Sequence, residues 1–391
     1  MNKLLSIIIP TKNRQIYCWE SLKSILHDID DSCEIVVQDN SDNDSLKELV
    51  KSLNSSIIVY NYNSKPQSFI DNFEAALSLS SGRYFIILGD DDSTTKDILP
   101  ITQWMEKENI ESITSTLVVD YTWPNSNIEM FTTGHMAIPD YSGRVQEIDV
   151  SKNLNAFLKN GLLSYQGFNL PRTYHGIVKR SCIDKVKEYT GRYFGGLTPD
   201  MYSTVALSCV IKKHRIIDFP FSIAGACPAS ATVHATVGGH SGELQKAPHF
   251  NYRGVYEWEY MIPKYYSVET IWAETALKAL KDMQYKDWEP LFNNYKFYIY
   301  SIYNNKSFIY KLSVKETLKL NSALKSNLLV HTGKLLYTLI KYSFKKVFNP
   351  DRIFENRNIQ TFENIKSLDA CKEKLYQNLI CGHEAITEKK G

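Results

Sequence analysis

The fold is indicated most directly by residues 84–92, which have the sequence YFIILGDDD. Tyr84–Leu88 is a continuous apolar run, the pattern of a strand buried on both faces of a parallel sheet. The run ends at Gly89 and leads directly into three adjacent carboxylates, Asp90–Asp92. In open α/β sheets, ligands bind beyond the carboxyl ends of the strands. This stretch therefore predicts an α/β protein with an acidic ligand site at the end of a central strand.

The residues before this stretch repeat the same alternation. Strand-like apolar runs occupy Leu4–Ile9, Glu34–Val37 and Ile57–Tyr60, and segments with helical spacing separate them. Units of this length predict right-handed crossovers and a mainly parallel, Rossmann-like sheet flanked by helices. Ser112–Val119 is predicted to be one further strand. From about Tyr256 onward the spacing turns helical, which predicts a helical C-terminal extension.

The length of 391 residues suits a catalytic domain followed by an accessory region. We predict a domain over residues 1–250, with two halves at residues 1–110 and 111–250. Residues 251–391 form the predicted helical region.

Composition excludes some classes of protein. There are 45 basic and 43 acidic residues, for a net charge of +2, so bulk electrostatics gives no reason to expect a nucleic-acid partner. The seven cysteines are scattered without a CxxC pair, which predicts reduced thiols in a cytoplasmic protein. The N-terminal apolar run stops at Pro10 without a cleavage site for a signal peptide, and no stretch approaches the roughly 20 apolar residues of a membrane-spanning helix.

Three polar segments, Thr11–Arg14, Asp39–Asp42 and Asp90–Asp92, each follow a predicted strand, so all three are expected to line one crevice. The first could present hydroxyl, amide and guanidinium groups to a phosphate or base, or be an ordinary strand-to-helix turn. The second could accept hydrogen bonds from a base or ribose, or form an Asx turn. The third could bind Mg²⁺ together with substrate phosphates, or cap a helix beginning near Thr95.

As a set, SIIIPTKNR, EIVVQDNSD, SFIDNFEAAL and GRYFIILGDDD resemble the nucleotide-binding half of family 2 glycosyltransferases over about the first 100 residues. The resemblance implies a GT-A fold and an inverting transfer of sugar from a nucleotide diphosphate to an acceptor hydroxyl. It makes residues 1–250 the catalytic domain, with 1–110 as its nucleotide-binding half and 111–250 as its acceptor-binding half. It also implies a DxD-type motif, matched by Asp90 and Asp92, that holds Mn²⁺ or Mg²⁺ and contacts the ribose. The nucleotide-binding residues implied are Pro10, Thr11, Asn13, Arg14, Asp39, Asp42, Asn72, Asp90 and Asp91, with Asp92 on the metal.

One position departs from the family pattern. Many members have an aromatic residue where this chain has Lys12, and that ring stacks on uracil. UDP is favoured as the donor nucleotide because Asp39 suits the uracil edge, and dTDP and GDP stay open.

Inverting transfer requires a base near the acceptor hydroxyl. The segment LTPDMYS, residues 197–203, resembles the segment that supplies this base in related bacterial sugar transferases, which makes Asp200 the candidate. An aspartate after Pro199 could also be a helix N-cap. Asp184 and Glu188 are weaker alternatives. In the glycine-rich loop from Ala224 to His249, His240, or else His234, is expected to complete the metal shell, although exposed loop histidines are equally common.

Two other functions could use a sheet of this kind. A nucleotidyltransferase is disfavoured because the turn at residues 10–14 contains no glycine. A non-catalytic nucleotide-sugar or carbohydrate-binding protein on the same fold stays open. Leu328–Phe348 mixes apolar residues with lysines, which fits either a core-packed helix or a helix resting on an anionic membrane. The second alternative would suit a glycan or lipid-linked oligosaccharide acceptor at the inner face of the membrane.

Overall fold

The computed structural model describes residues 3–124, 132–230, 240–286, 288–305, 309–323, 333, 336–338 and 357–379. Its strands are β1 (Leu5–Thr11), β2 (Cys33–Asp39), β3 (Ile58–Tyr62), β4 (Tyr84–Ile87), β5 (Ser93–Thr94), β6 (Ser112–Ser115), β7 (Val119–Thr122), β8 (His135–Pro139), β9 (Val145–Ile148), β10 (Gly176–Lys179), β11 (His214–Ile217), β12 (Ser222–Ala226) and β13 (Ile359–Glu363). Its α-helices are α1 (Gln15–Leu26), α2 (Ser45–Ser52), α3 (Phe69–Ser78), α4 (Ile98–Lys107), α5 (Val150–Lys159), α6 (Arg180–Thr190), α7 (Pro199–Ser208), α8 (Val268–Asp282), α9 (Asn294–Asn304), α10 (Tyr310–Ala323) and α11 (Leu368–Leu379).

Eight strands form the main sheet in the order β3-β2-β1-β4-β10-β6-β11-β9. β1 runs parallel to β2 and β4, and β2 runs parallel to β3. β10 is antiparallel to both β4 and β6, so β6 runs in the same direction as β4. The predicted α/β class with a mainly parallel central sheet is confirmed.

The continuous apolar runs arise because helices cover both faces of this sheet. Every residue of β1 and β2 is buried. Ile8 packs into one apolar core with Leu77 of α3, whereas its neighbour Ile7 packs into another core with Leu22 and Ile25 of α1. Successive side chains of a strand point to opposite faces, so a strand between two helical layers needs apolar residues at every position.

The expected strand Ser112–Val119 is divided between two sheets, so that prediction was wrong. β6 lies in the main sheet, and β7 lies in a second sheet of order β13-β8-β7-β12-β5. Between them, Ser115 Oγ donates to the carbonyl oxygens of Leu117 (2.5 Å) and Phe219 (2.9 Å). A serine hydroxyl that bonds nearby backbone favours a turn over a continuing strand.

The segment 357–379 returns to the N-terminal half of the chain. β13 pairs antiparallel with β8, and Leu375 of α11 joins the apolar core that contains Leu22. Lys372 Nζ donates to Ser24 O at 2.6 Å and pairs with the buried carboxylate of Asp28. A helical C-terminal region is present, but within it the strand β13 belongs to the second sheet. The predicted domain division at residue 250 stays a prediction.

Helix α8 begins with a capping box. Ser267 Oγ accepts from Thr270 N at 3.3 Å, and Thr270 Oγ1 accepts from Ser267 N at 3.0 Å. Ile271, Ala276 and Leu280 of α8 are buried, as the helical spacing predicted. Within the described residues, no helix is both long and apolar enough to cross a membrane.

The buried carboxyl group of Glu274 in α8 should make stability depend on pH. Burial raises the pKa of Glu274 to about 8, from an ordinary 4.5, and Tyr256 OH lies 2.6 Å from both carboxyl oxygens. Because the folded pKa is the higher one, the stabilisation is complete below the unfolded pKa and is lost as pH rises toward about 8. We expect the free energy of unfolding to fall over that range, and Glu274→Gln to reduce the slope. Denaturant titrations at several pH values measure this, and an identical slope in the variant would contradict it.

Candidate functional site

Strands β1, β2 and β4 end side by side, and the polar residues that follow them meet. Thr11 is in register with Asp39 at the last pair of β1 and β2. Thr11 Oγ1 donates to Asp90 Oδ2 at 2.6 Å, and Asn40 N donates to Thr11 O at 3.0 Å. The convergence of three segments distant in sequence is therefore present in the structure.

Arg14, immediately before α1, faces two of the three aspartates. Its Nη1 lies 3.0 Å from Asp90 Oδ1 and 3.4 Å from Asp91 Oδ1. Burial raises the pKa of Asp90 to about 7 and the pKa of Asp91 above its usual value, although Arg14 lowers both. Two buried carboxylates that share one guanidinium hold more negative charge than the protein neutralises, which favours an additional cation.

Asp92 is held by protein donors on both carboxylate oxygens. Its Oδ2 accepts from Gly89 N (2.6 Å) and Tyr174 OH (2.8 Å) and lies 3.2 Å from His175 Nε2, and its Oδ1 accepts from Gly225 N at 2.8 Å. Burial alone would raise the pKa of Asp92, but His175 and these N–H groups hold it below its usual value. Asp92 is therefore the carboxylate of the triplet that the protein itself keeps ionised.

Tyr174 and His175 are site residues that the sequence analysis missed. They belong to Arg172–His175, called the edge segment below, which immediately precedes β10. Because β10 runs antiparallel to β4, the residues before it, rather than those after it, lie at the carboxyl edge. His175 is buried in the left-handed region at φ 53°, and its Nδ1 lies 3.0 Å from Ser222 Oγ. A non-glycine residue in this region often marks a functional constraint.

Backbone N–H groups of β12 and of the residue that follows it bond to the acidic triplet. Besides the Gly225 N–H on Asp92, Cys227 N donates to Asp91 Oδ2 at 3.0 Å. Trp123 Nε1 donates to Asp91 O at 3.0 Å. The N–H groups of a backbone have no side-chain signature, so the sequence did not indicate this cover.

Replacing Gly225 by alanine should disturb the site, although Gly225 is not one of its charged residues. A Cβ at this position would lie 1.7 Å from Asp91 O and 2.5 Å from Asp91 C, contacts that only a backbone shift relieves. We expect Gly225→Ala to lower the thermal midpoint by more than Gly191→Ala does. Gly191→Ala is the control for the general cost of alanine at a glycine: no described residue lies within 4 Å of a Cβ there, so its only cost is the backbone strain at φ +79°. A thermal midpoint of Gly225→Ala no lower than that of Gly191→Ala would contradict the close approach of Gly225 to Asp91.

The predicted nucleotide-binding residues around Asp39 form one connected cluster. Asp39 accepts from Tyr60 OH at 2.8 Å and from Ser41 N at 2.9 Å. Asn13, at φ 57°, and Asp42 exchange two hydrogen bonds of 2.9 Å.

Two further predicted residues border this cluster. Pro10 is buried within β1. Asn72 of α3 donates to Thr11 O at 3.4 Å, while its buried Oδ1 has no hydrogen-bond partner in the described part of the chain. Their roles toward a nucleotide stay predictions.

Asp200 lies in the first turn of α7, where Thr198, not Asp200, is the N-cap. Its side chain is partly exposed, and burial raises its pKa, which is the direction a general base requires. Ser203, one turn further on, places its Oγ 2.9 Å from Thr173 Oγ1, and Thr173 O accepts from Ile87 N at 2.8 Å. The start of α7 therefore contacts the edge segment where it meets the end of β4.

The weaker base candidates lie on α6. Asp184 accepts from Tyr193 OH at 3.3 Å, and Glu188 is exposed.

The predicted metal pair Asp92 and His240 stays a prediction. The ring of His240 lies 6.5 Å from that of His249 and 6.1 Å from that of Tyr266. In the part of the chain that the structure describes, no three histidine, cysteine or acidic side chains are grouped as metal ligands. His234, the alternative, lies outside the described residues.

The fold is that of an α/β protein, and its candidate ligand site lies at the carboxyl edge of the sheet. Residues 6–144 match the family described as Glycosyl transferase family 2. This agrees with the resemblance found in the sequence.

Two curated relatives share the N-terminal part. Abequosyltransferase RfbV of Salmonella typhimurium is 36% identical over 105 residues, 26% of this chain and 32% of the relative. The GalNAc(5)-diNAcBac-PP-undecaprenol beta-1,3-glucosyltransferase of Campylobacter jejuni is 31% identical over 111 residues, 27% of this chain and 34% of the relative. This chain spans about a third of the length of these relatives. The solved structure of S. aureus TarS 1-349 in complex with UDP-GlcNAc aligns with 57% of this chain and 58% of its own at 16% identity and a TM-score of 0.42.

Proposed function

We propose that this chain is an inverting, metal-dependent glycosyltransferase that moves a sugar from a nucleotide diphosphate sugar to an acceptor hydroxyl in surface-polysaccharide biosynthesis. A UDP-sugar is the favoured donor. The proposal depends chiefly on one observation: hydrogen bonds and ion pairs join Thr11, Arg14 and the acidic triplet at the carboxyl edge, and the edge segment connects that cluster to the start of α7.

The nucleotide is proposed to lie along the ends of β1 and β2. A guanidinium such as Arg14 suits phosphate oxygens. Asp39 keeps acceptor capacity, because an ionised carboxylate offers about four lone-pair sites and only two N–H or O–H donors reach it here. Those sites suit the N–H edge of uracil.

The residues of the acidic triplet fit a divalent cation. Among the described residues, Asp90 Oδ1 is buried without a hydrogen-bond donor of good geometry, and Arg14 is the cation that faces both it and Asp91 Oδ1. Carboxylate oxygens are the ligands that Mg²⁺ and Mn²⁺ favour, and such an ion would offset the charge of a leaving diphosphate. Asp92 has its oxygens occupied by four protein groups, so its role as a ligand requires it to release one of them.

We propose inversion of the anomeric carbon because the reaction can then be a single in-line displacement. Such a displacement needs only one base, on the acceptor side. Asp200 is the proposed base: it takes the proton as the acceptor oxygen attacks the anomeric carbon. Its raised pKa makes it a stronger base than an exposed aspartate.

The acceptor is proposed to be a glycan or a lipid-linked oligosaccharide. The names of the two curated relatives, an abequosyltransferase and an undecaprenol-linked glucosyltransferase, support this class. Such acceptors would suit a cytoplasmic enzyme at the inner face of the membrane. Most of Leu328–Phe348, the segment predicted to contact the membrane, lies outside the described residues, so that contact stays a prediction.

A donor-hydrolysis screen tests this proposal without knowledge of the acceptor. Purified protein is incubated with UDP-, dTDP- and GDP-sugars in Mn²⁺, in Mg²⁺ and in EDTA, and the released nucleotide is quantified. We expect metal-dependent release of one nucleotide. If no nucleotide sugar is cleaved and calorimetry detects no binding in the presence of metal, the proposal is wrong.

A further inference from the structure

Arg172, the first residue of the edge segment, lies at the carboxyl edge beyond the acidic triplet. Its Nη2 donates to the carbonyl oxygen of Ser115 at 3.0 Å, and Ser115 is the last residue of β6. β6 runs in the same direction as β4, so both strands end at the same edge of the sheet. In the strand order, β10 separates them. Arg172 is therefore on the ligand side of the sheet, displaced from the nucleotide cluster toward the predicted acceptor-binding half.

Among the described residues, no carboxylate forms an ion pair with Arg172. Its guanidinium bonds Ser115 O, and the hydroxyl of Tyr165 is near enough to raise its pKa. Burial lowers the pKa of Arg172. A guanidinium has five N–H donors, so two partners leave donors unused, and the side chain is only partly buried. A partly buried cation without a counter-ion favours binding of an anion.

The surroundings of Arg172 connect it to the proposed base. Burial raises the pKa of Tyr165 to about 12, the charge of Asp200 adds to this rise and Arg172 opposes it, so both charged residues are within electrostatic reach of Tyr165. The ring of Trp272 packs edge-on against Tyr165 at a centroid distance of 5.0 Å. An anionic group on Arg172 would thus share the surroundings of Tyr165 with Asp200, the proposed base.

We propose that Arg172 binds an anionic group of the acceptor, a phosphate or a sugar carboxylate, carried near the hydroxyl that receives the sugar. Planar guanidinium groups bind either anion through paired hydrogen bonds. The inference depends on the proposed function, since it assigns the acceptor side of the same site. It narrows the acceptor to acidic molecules, either a prenyl-diphosphate-linked sugar or a glycan that contains a uronic acid.

The test measures binding of small acceptor fragments to the full chain saturated with UDP and Mn²⁺, so that the donor site is occupied. The probes are farnesyl diphosphate, methyl glucuronide and, as the neutral control, methyl glucoside, each titrated by calorimetry or ligand-observed NMR. The variants are Arg172→Met and Arg172→Lys. Arg215→Met is the matched control: Arg215 is also partly buried and stacks on Trp104, but lies within β11.

We expect wild type to bind one of the two anionic probes more tightly than methyl glucoside, and the probe that binds identifies the source of the anion. Arg172→Met should lose about tenfold or more of that affinity, because a hydrogen bond to a charged group is worth about a decade in affinity. Its affinity for UDP should stay within twofold of wild type. The anion affinity of Arg172→Lys should lie between those of wild type and Arg172→Met. The anion affinity of Arg215→Met should match that of wild type.

Three results would overturn the inference: no preference for either anion, an unchanged anion affinity in Arg172→Met, or a parallel loss of UDP and anion binding. The last would assign Arg172 a purely structural role between β6 and Tyr165. If Arg172→Met does not fold, the Arg172→Lys comparison decides by the same criteria. Failure of the wild-type chain to bind UDP would instead count against the proposed function.

Discussion

Replacing Asp200 by asparagine is expected to abolish sugar transfer while leaving nucleotide binding intact. Asparagine keeps the size and the hydrogen-bond acceptor of the side chain but cannot accept a proton. Loss of a general base lowers the rate by roughly a hundredfold to ten-thousandfold. Affinity for UDP should stay within twofold, because Asp200 is linked to the end of β4 through its backbone carbonyl, Ser203 and Thr173, and the substitution leaves that carbonyl in place. Transfer assays with the acceptor and calorimetry with UDP measure the two quantities.

The pH profile gives a second measure of the same prediction. Burial raises the pKa of Asp200, and a base is active only when unprotonated. The rate of transfer should therefore rise with pH through a value above that of an exposed aspartate. Asp184→Asn and Glu188→Gln are the matched controls and should keep wild-type rates. If either control loses transfer while Asp200→Asn keeps it, Asp200 is not the base.

Asp92→Asn is expected to lower donor cleavage by about a hundredfold, the size of effect seen when one preorganised electrostatic partner is removed from an active site. The substitution removes the charge that faces His175 and puts an amide N–H₂ where either Gly225 N–H or Gly89 N–H now donates. One of those backbone donors must then lose its acceptor. Asp92→Asn should consequently also require a higher Mn²⁺ concentration for half-maximal cleavage.

The control for this variant is Asp140→Asn, which removes an exposed aspartate after β8. It should cleave the donor as wild type does. If Asp92→Asn leaves donor cleavage and its Mn²⁺ dependence unchanged, the third carboxylate of the triplet has no part in the reaction.

The sequence predicted those parts of the site that follow parallel strands. Thr11, Arg14, Asp39 and the acidic triplet were found because the ends of β1, β2 and β4 are recognisable as apolar runs that stop at polar residues. The same rule failed for His175, since β10 runs in the opposite direction and its site residues come before it. A sequence does not show the direction of a strand. The residues before β10 could therefore be recognised as part of the carboxyl edge only from the structure.

Two other features depend on contacts between residues distant in sequence. The backbone N–H of Gly225 binds Asp92 across 133 positions, and Phe362 of β13 pairs with Met136 of β8. Local spacing carries no information about either contact. The helical pattern after Tyr256 was correct for α8, but it led to the expectation of a helical extension where residues 359–363 are a strand of the second sheet.

A crystal structure of the chain with UDP and Mn²⁺ tests the proposed donor site most directly. We expect the diphosphate beside Arg14 and the acidic triplet, the uracil edge at Asp39, and Mn²⁺ on at least one carboxylate of Asp90–Asp92. A nucleotide bound elsewhere, or none bound at saturating concentration, would contradict the assignment of the carboxyl edge as a donor site.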